Sequence, residues 1–151
     1  MRLAPNFTLE EFTRSETASR LGIDNTPNTK EVIQLVYLAK VMQEVRELFN
    51  RPIHVTSGFR CLELNRAIGS FDSSKHTQGR ACDFGVSGFH IRDAFGILKA
   101  SNIGYSKLIL EFPDSGTGWI HLEINEFGAL SEPKFVLAEK VNGKTVYSNI
   151  S

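Results

Sequence analysis

The chain has 151 residues, with 17 basic and 17 acidic side chains, four histidines and two cysteines. That length is near the commonest domain size and buries enough surface for one self-sufficient core, so a single domain over residues 1–151 is expected. A formal charge of zero creates no global field to attract nucleic acid or an anionic membrane, and no apolar run reaches the roughly 18 residues that a membrane span requires. The opening Met1-Arg2-Leu3-Ala4-Pro5-Asn6 turns polar before a signal-peptide core can form, which predicts synthesis in the cytoplasm without a signal peptide.

In chain order, Asn6 or Thr8 caps a short helix that carries Glu10 and Glu11 in its first turn. Asp24 to Asn28 reads as a loop. Thr29 then caps a long helix to about Asn50, with Ile33, Tyr37, Val41, Val45 and Leu48 as its inward stripe and Pro52 ending it. Ile53 to Thr56 is a predicted strand, Leu62 to Ile68 a short helix, and Gly69 to Thr77 an exposed loop. The short apolar run Ala81 to Val86 alternates, which sends Ala81, Asp83 and Gly85 to one face and Cys82, Phe84 and Val86 to the other. Phe89 to Ala100 is a second amphipathic helix, with Ile91, Phe95 and Leu98 inward. Strands at Lys107 to Phe112 and Trp119 to Ile124 flank a turn-rich segment, and Asn142-Gly143 signals a hairpin between Phe135–Lys140 and Thr145–Ser148. The class is α+β, helices packed on a small, largely antiparallel sheet. Cys61 and Cys82 read as free thiols in a chain with a cytosolic start, Cys82 as a core residue.

The most informative residues are His76 and Asp83, within Ser74-Lys75-His76-Thr77-Gln78-Gly79-Arg80-Ala81-Cys82-Asp83, and His121, within Trp119-Ile120-His121-Leu122. Two imidazoles and a carboxylate can supply three ligands to zinc. A catalytic zinc takes three protein ligands and keeps a fourth position for water, whereas a structural zinc is closed by four. No CxxC or HxxxH pair is present to close the site, so the pattern favours an open, hydrolytic metal centre. Each residue also has an ordinary reading: His121 as a packed strand residue, and Asp83 as a turn cap before Gly85. His54 and His90 have only ordinary readings.

Ser-x-His-x-x-Gly-x-Ala-x-Asp followed by Trp-x-His resembles the signature of the zinc D-alanyl-D-alanine carboxypeptidases. That superfamily includes phage L-alanyl-D-glutamate endolysins, vancomycin-resistance dipeptidases and the Hedgehog signalling domain. Val55-Thr56-Ser57-Gly58-Phe59-Arg60, with Asn65 following, resembles the family's Ser-Gly-Tyr/Phe-Arg segment, and Phe7-Thr8-Leu9-Glu10-Glu11-Phe12 resembles the opening of its short, phage-like branch. The similarity runs from about Phe7 to Leu122. It implies the Hedgehog/DD-peptidase fold, with His76, Asp83 and His121 as Zn2+ ligands and Arg60 as the anchor for a substrate carboxylate. Arg60 follows the predicted strand through Ser57-Gly58, which lets its guanidinium reach over a cleft and pair bidentately with a carboxylate. Ser74 and Gln78 are further candidates for hydrogen bonds to substrate.

A hydrolytic zinc site also needs a general base. Many relatives carry an acid three residues before the last histidine, where this chain has Gly118. Glu111 and Glu123 are the nearest substitutes. Other branches of the superfamily place the acid on the segment before Trp-x-His, which favours Glu111, provided that the strand register opposes Glu111 to His121, since a one-residue slip turns Glu111 away. Glu123 shares a face with His121 but lies about 6–7 Å along the strand. The resemblance implies a zinc peptidase cutting peptidoglycan stem peptides, at a D-Ala-D-Ala or L-Ala-D-Glu type bond, encoded by a phage or prophage and acting on the cell wall after release or within a virion. The alternative is a non-catalytic zinc-binding relative, a virion component or wall-binding module in contact with other virion proteins.

Overall fold

In the computed structural model, which describes residues 1–151, the chain opens with a two-strand ladder of Arg2–Ala4 (β1) and Phe7–Thr8 (β2). Thr8 then caps Leu9–Thr13 (α1): its hydroxyl accepts from the Glu11 N–H, and the Glu11 carboxylate accepts from the Thr8 N–H at 2.7 Å. This reciprocal pairing satisfies two backbone donors that the helix itself cannot. Glu16–Leu21 (α2) follows, capped by Ser15 and stopped by Gly22 in the left-handed conformation. Its six residues are too short to display a helical period, so the sequence showed no sign of it.

The long helix is Thr29–Phe49 (α3), and its cap is Asn28, in a capping box with Glu31, rather than Thr29. Its inward face also differs from expectation. Leu35, Leu38, Ala39, Val41, Met42, Val45 and Phe49 are buried, whereas Ile33, Tyr37 and Leu48 are more than a third exposed. The helix carries two overlapping apolar series that share Val41 and Val45, and periodicity alone cannot say which one meets the sheet. Tyr37 instead packs edge-on against Phe127, beyond the sheet.

Ile53–Ser57 (β3), Ala81–Val86 (β4), Lys107–Glu111 (β5), Trp119–Glu123 (β6), Lys134–Val141 (β7) and Lys144–Asn149 (β8) form one sheet in the order β3-β4-β6-β5-β7-β8. Every pairing is antiparallel except β5 with β7. After β6 the chain crosses back to lay β7 on the free edge of β5, which makes that one pair parallel. Asn142 and Gly143, both at positive φ, close the β7–β8 hairpin as a two-residue turn whose twist matches the strands. The fold is therefore α+β, as expected, with a mixed sheet.

One sheet face carries the core. Cys82, Phe84, Val86, Leu108, Leu110, Ile120 and Leu122 point into it and pack beneath α3 and Ile91–Lys99 (α5), whose Ala94, Phe95 and Leu98 are buried. The alternation read from β4 holds residue by residue: Cys82 is buried on this face and Asp83 is turned to the other. Leu62–Ala67 (α4) begins at Cys61, whose sulfur caps it, and both cysteines are free. The segment expected as an exposed loop ends in a tight 3-10 turn, Lys75–Gln78, with His76 only 2% exposed. No helix is long and apolar enough to cross a membrane.

Candidate metal centre

The second sheet face is the floor of a cleft of about 720 Å³. Asp83 on β4 and His121 on β6 are directly paired across the strands, and the tight turn delivers His76 above them. Two features aim that turn. Gly79, at φ +72°, reverses the chain where an added Cβ would sit 2.7 Å from the Glu31 carbonyl oxygen. The Ser74 hydroxyl accepts from the His76 N–H at 3.3 Å.

His76 Nε2, His121 Nδ1 and Asp83 Oδ1 form a triangle with edges of 3.3, 2.9 and 3.4 Å. Tetrahedral bonds of about 2.0–2.1 Å to zinc put neighbouring donors about 3.3 Å apart. The outward faces of the rings decide their protonation. His76 Nδ1 lies 2.7 Å from the Gly58 carbonyl oxygen, which only accepts, so Nδ1 carries the proton and Nε2 presents its lone pair inward. His121 Nε2 lies 2.9 Å from Glu123 Oε2, so the proton sits there and Nδ1 points inward. Two imidazole nitrogens and a carboxylate oxygen converging this closely repel one another unless positive charge lies between them: a proton on His121 Nδ1, shared with Asp83 Oδ1 at 2.9 Å, or a metal ion that replaces it. An imidazole that donates outward to a carbonyl or carboxylate while ligating inward is the usual arrangement at metal sites. The three residues thus form a group that could hold a metal ion.

The protein's own charges fit this reading. Burial opposes ionisation of Asp83, but the two imidazoles outweigh it and hold the carboxyl well below the usual carboxylate range. Burial likewise opposes the charged form of His121, yet its hydrogen bonds to Asp83 and Glu123 and their charges lift it to about 9. The pocket has a strong demand for positive charge at one point. A family model described as Peptidase M15 matches residues 5–123. The chain belongs to the M15 peptidase family. No curated protein matches it.

In this M15 peptidase the expected register between β5 and β6 is corrected by two residues. Ile109 opposes His121, and Glu111 opposes Trp119. A two-residue offset preserves the face, so Glu111 still enters the cleft, with Oε1 4.0 Å from His121 Nδ1 on the side where the three donors converge. Burial, then the charge of Asp83, raises its carboxyl to about 7, against the pull of His121, Trp119 and Arg60. The Trp119 indole N–H is buried without a hydrogen-bond partner, on the residue that pairs with Glu111 across the strands. Glu123, expected to lie along the strand from His121, folds back onto the far side of the ring instead. Burial acts against its charge, but the His121 hydrogen bond and the nearby Lys107 and Lys75 hold it ionised.

Gly118, at the position where relatives carry an acid, cannot bear a side chain here. A Cβ would run into the carbonyl oxygens of Phe112 and Glu111, because Phe112, at φ 51°, turns the chain back over it.

Arg60 lines the same cleft. Its Nε donates to Asn65 Oδ1 at 3.1 Å and a terminal nitrogen to Ser57 Oγ at 3.4 Å, while its own N–H donates to the His76 carbonyl at 3.1 Å. Asn25, in a segment read only as loop, clamps this region: its carboxamide donates to the Thr13 and Phe59 carbonyls and accepts from the Cys61 N–H. No local pattern marks Asn25, since all its partners are distant in sequence. Ser74 lines the cleft, but Gln78 does not. Gln78 lies on the outer side of the turn, where its oxygen accepts from the Arg80 guanidinium at 2.6 Å.

Proposed function

We propose that this M15 peptidase is a zinc metallopeptidase that hydrolyses peptidoglycan stem peptides, at a D-Ala-D-Ala or L-Ala-D-Glu type bond, and that it belongs to the family's short, phage-like branch. The observation that carries the reading is the convergence of His76, Asp83 and His121 with a carboxyl raised to about 7 standing 4.0 Å from the His121 donor atom. Zinc held there supplies Lewis acidity toward water and a peptide carbonyl. Glu111 takes the proton of the attacking water and returns it to the leaving amine, for which a pKa near the working pH is suited. Glu123, behind His121, holds the ring in its inward-facing tautomer. Arg60, pre-set by Asn65 and Ser57, pairs with a carboxylate of the substrate.

Zymography on purified sacculi tests the reading. Clearing is expected with the zinc-loaded protein and not after chelation, with recovery on adding zinc. Glu111→Gln protein should keep its zinc and lose hydrolysis by about a hundred- to ten-thousand-fold, the usual contribution of a general base. A zinc-loaded wild type that releases no peptide from sacculi would instead mark a wall-binding relative.

A further inference from the structure

The Peptidase M15 match ends at Glu123, and the β7–β8 hairpin lies beyond it. The hairpin nevertheless extends the sheet that floors the cleft, and Val136, Tyr147 and Asn149 line the same space as the metal-binding group. Register explains how. His121 pairs with Ile109, Ile109 with Val136, and Val136 with Asn149, so one row crosses four strands from the candidate metal ligand to the hairpin. The adjacent row runs Trp119, Glu111, Ala138, Tyr147. Residues directly paired across strands point to one face, so Tyr147 and Asn149 stand on the cleft side of the edge strand. Tyr147 is 60% exposed, and Asn149 is exposed beside it; neither contributes to the core. Ala138, fully buried between Glu111 and Tyr147, leaves a shallow floor between the two.

Arg60 and the hairpin lie on opposite sides of the donor triangle, because β3 and β8 are the two edges of the sheet. Three strand spacings separate β6 from β8, roughly 14 Å, which is the length of about four extended peptide residues. Resting on the peptidase reading above, we infer that the β7–β8 hairpin is a substrate-recognition wall. Tyr147 and Asn149 bind the peptide on the side of the scissile bond away from the carboxylate held by Arg60. A phenol hydroxyl and a carboxamide can both donate to and accept from peptide groups, while Ile109 and Val136 offer an apolar floor to small side chains. Partial burial and the charge of Glu111 raise the Tyr147 phenol above its ordinary pKa, so it remains able to donate to a carbonyl. The hairpin sets how many residues must precede the cleaved bond.

The test compares wild type, Tyr147→Ala, Asn149→Ala and Val146→Ala on a short substrate, truncated on that side of the bond, and on a full-length stem peptide. Val146 faces the opposite side of β8. For the full-length peptide, Tyr147→Ala should raise KM about tenfold with kcat within about twofold, as one or two lost hydrogen bonds would. Asn149→Ala should raise KM about threefold. The preference of wild type for the longer peptide should shrink in both variants and persist in Val146→Ala. An unchanged KM in Tyr147→Ala, or a loss shared equally by both substrates and by Val146→Ala, would overturn the inference. Calorimetric titration of the stem peptide into zinc-loaded protein separates it from the peptidase reading. If wild type binds the peptide without cutting it and Tyr147→Ala binds about tenfold more weakly, the hairpin assignment stands and hydrolysis falls. Equal binding by both, or none by wild type, overturns the hairpin assignment.

Discussion

The two acceptors behind the imidazoles, the Gly58 carbonyl and the Glu123 carboxylate, decide what those imidazoles can hold. Each accepts the proton of the outward ring nitrogen, so that the inward nitrogen can ligate once any proton on it is displaced. Loss of a ligand differs from loss of its orienting partner. His76→Ala and His121→Ala should abolish stoichiometric zinc in elemental analysis. Glu123→Ala should retain the site but weaken zinc binding by about 10- to 100-fold, the usual effect of removing an outer-shell partner, measured by competition with a chromogenic chelator. Full zinc retention in both histidine variants would remove the site. Glu111 and Glu123 look equivalent as strand carboxylates near His121, yet they contact different nitrogens of the same ring. In the proposed mechanism that difference separates a group facing substrate from one that positions a ligand.

At the scale of elements, the β5–β6 connection explains why the acid sits where it does. Phe112 at positive φ packs the turn against Gly118, so the position before the Trp-x-His strand is closed to any side chain. Glu111, at the end of β5, occupies the cleft instead. Gly118→Ala should therefore destabilise the protein by roughly 1–3 kcal/mol, the range of overpacked sites, read from the midpoint of denaturant unfolding. Gly118→Glu should fail to substitute for a missing Glu111. A second tight approach has the same logic: a Cβ at Gly58 would run into the Phe12 backbone, whose carbonyl accepts from the Phe59 N–H at 2.6 Å. That contact ties the Arg60 segment to α1.

For the molecule as a whole, the charges of the cleft set a pH dependence. In the proposed mechanism Glu111 acts in its ionised form, and its carboxyl is raised from 4.5 to about 7 among the protein's own groups. Activity should fall as pH drops through that range, with the acidic limb of kcat/KM at an apparent pKa between 4.5 and 7, because a bound cation draws it toward the lower end. The same shift stabilises the folded chain with Glu111 protonated. That contribution is complete below the unfolded pKa and is lost as pH rises through the folded value. An acidic limb that is absent, or that survives Glu111→Gln, would take the proton-transfer role away from Glu111.

The sequence by itself determined the α+β class, most of the strands, the Asn142-Gly143 turn, and which face of β4 and β6 each ligand occupies. All of these rest on local signals, alternation above all, that do not depend on distant partners. The donor set was legible because His76 and Asp83 lie seven residues apart in a recognisable run. Tertiary structure decided the rest. The buried side of α3 depends on what it packs against, since two apolar series compete along it. The register of β5 on β6 is a long-range pairing, and only it shows that Glu111 faces the cleft from opposite Trp119 rather than from opposite His121. The path of Glu123 back onto His121, the removal of Gln78 to the Arg80 side, and the clamp at Asn25 all join residues whose proximity is created by folding. So is the wall formed by Tyr147 and Asn149, which the chain brings to the cleft only by crossing β6 and laying a parallel strand against β5.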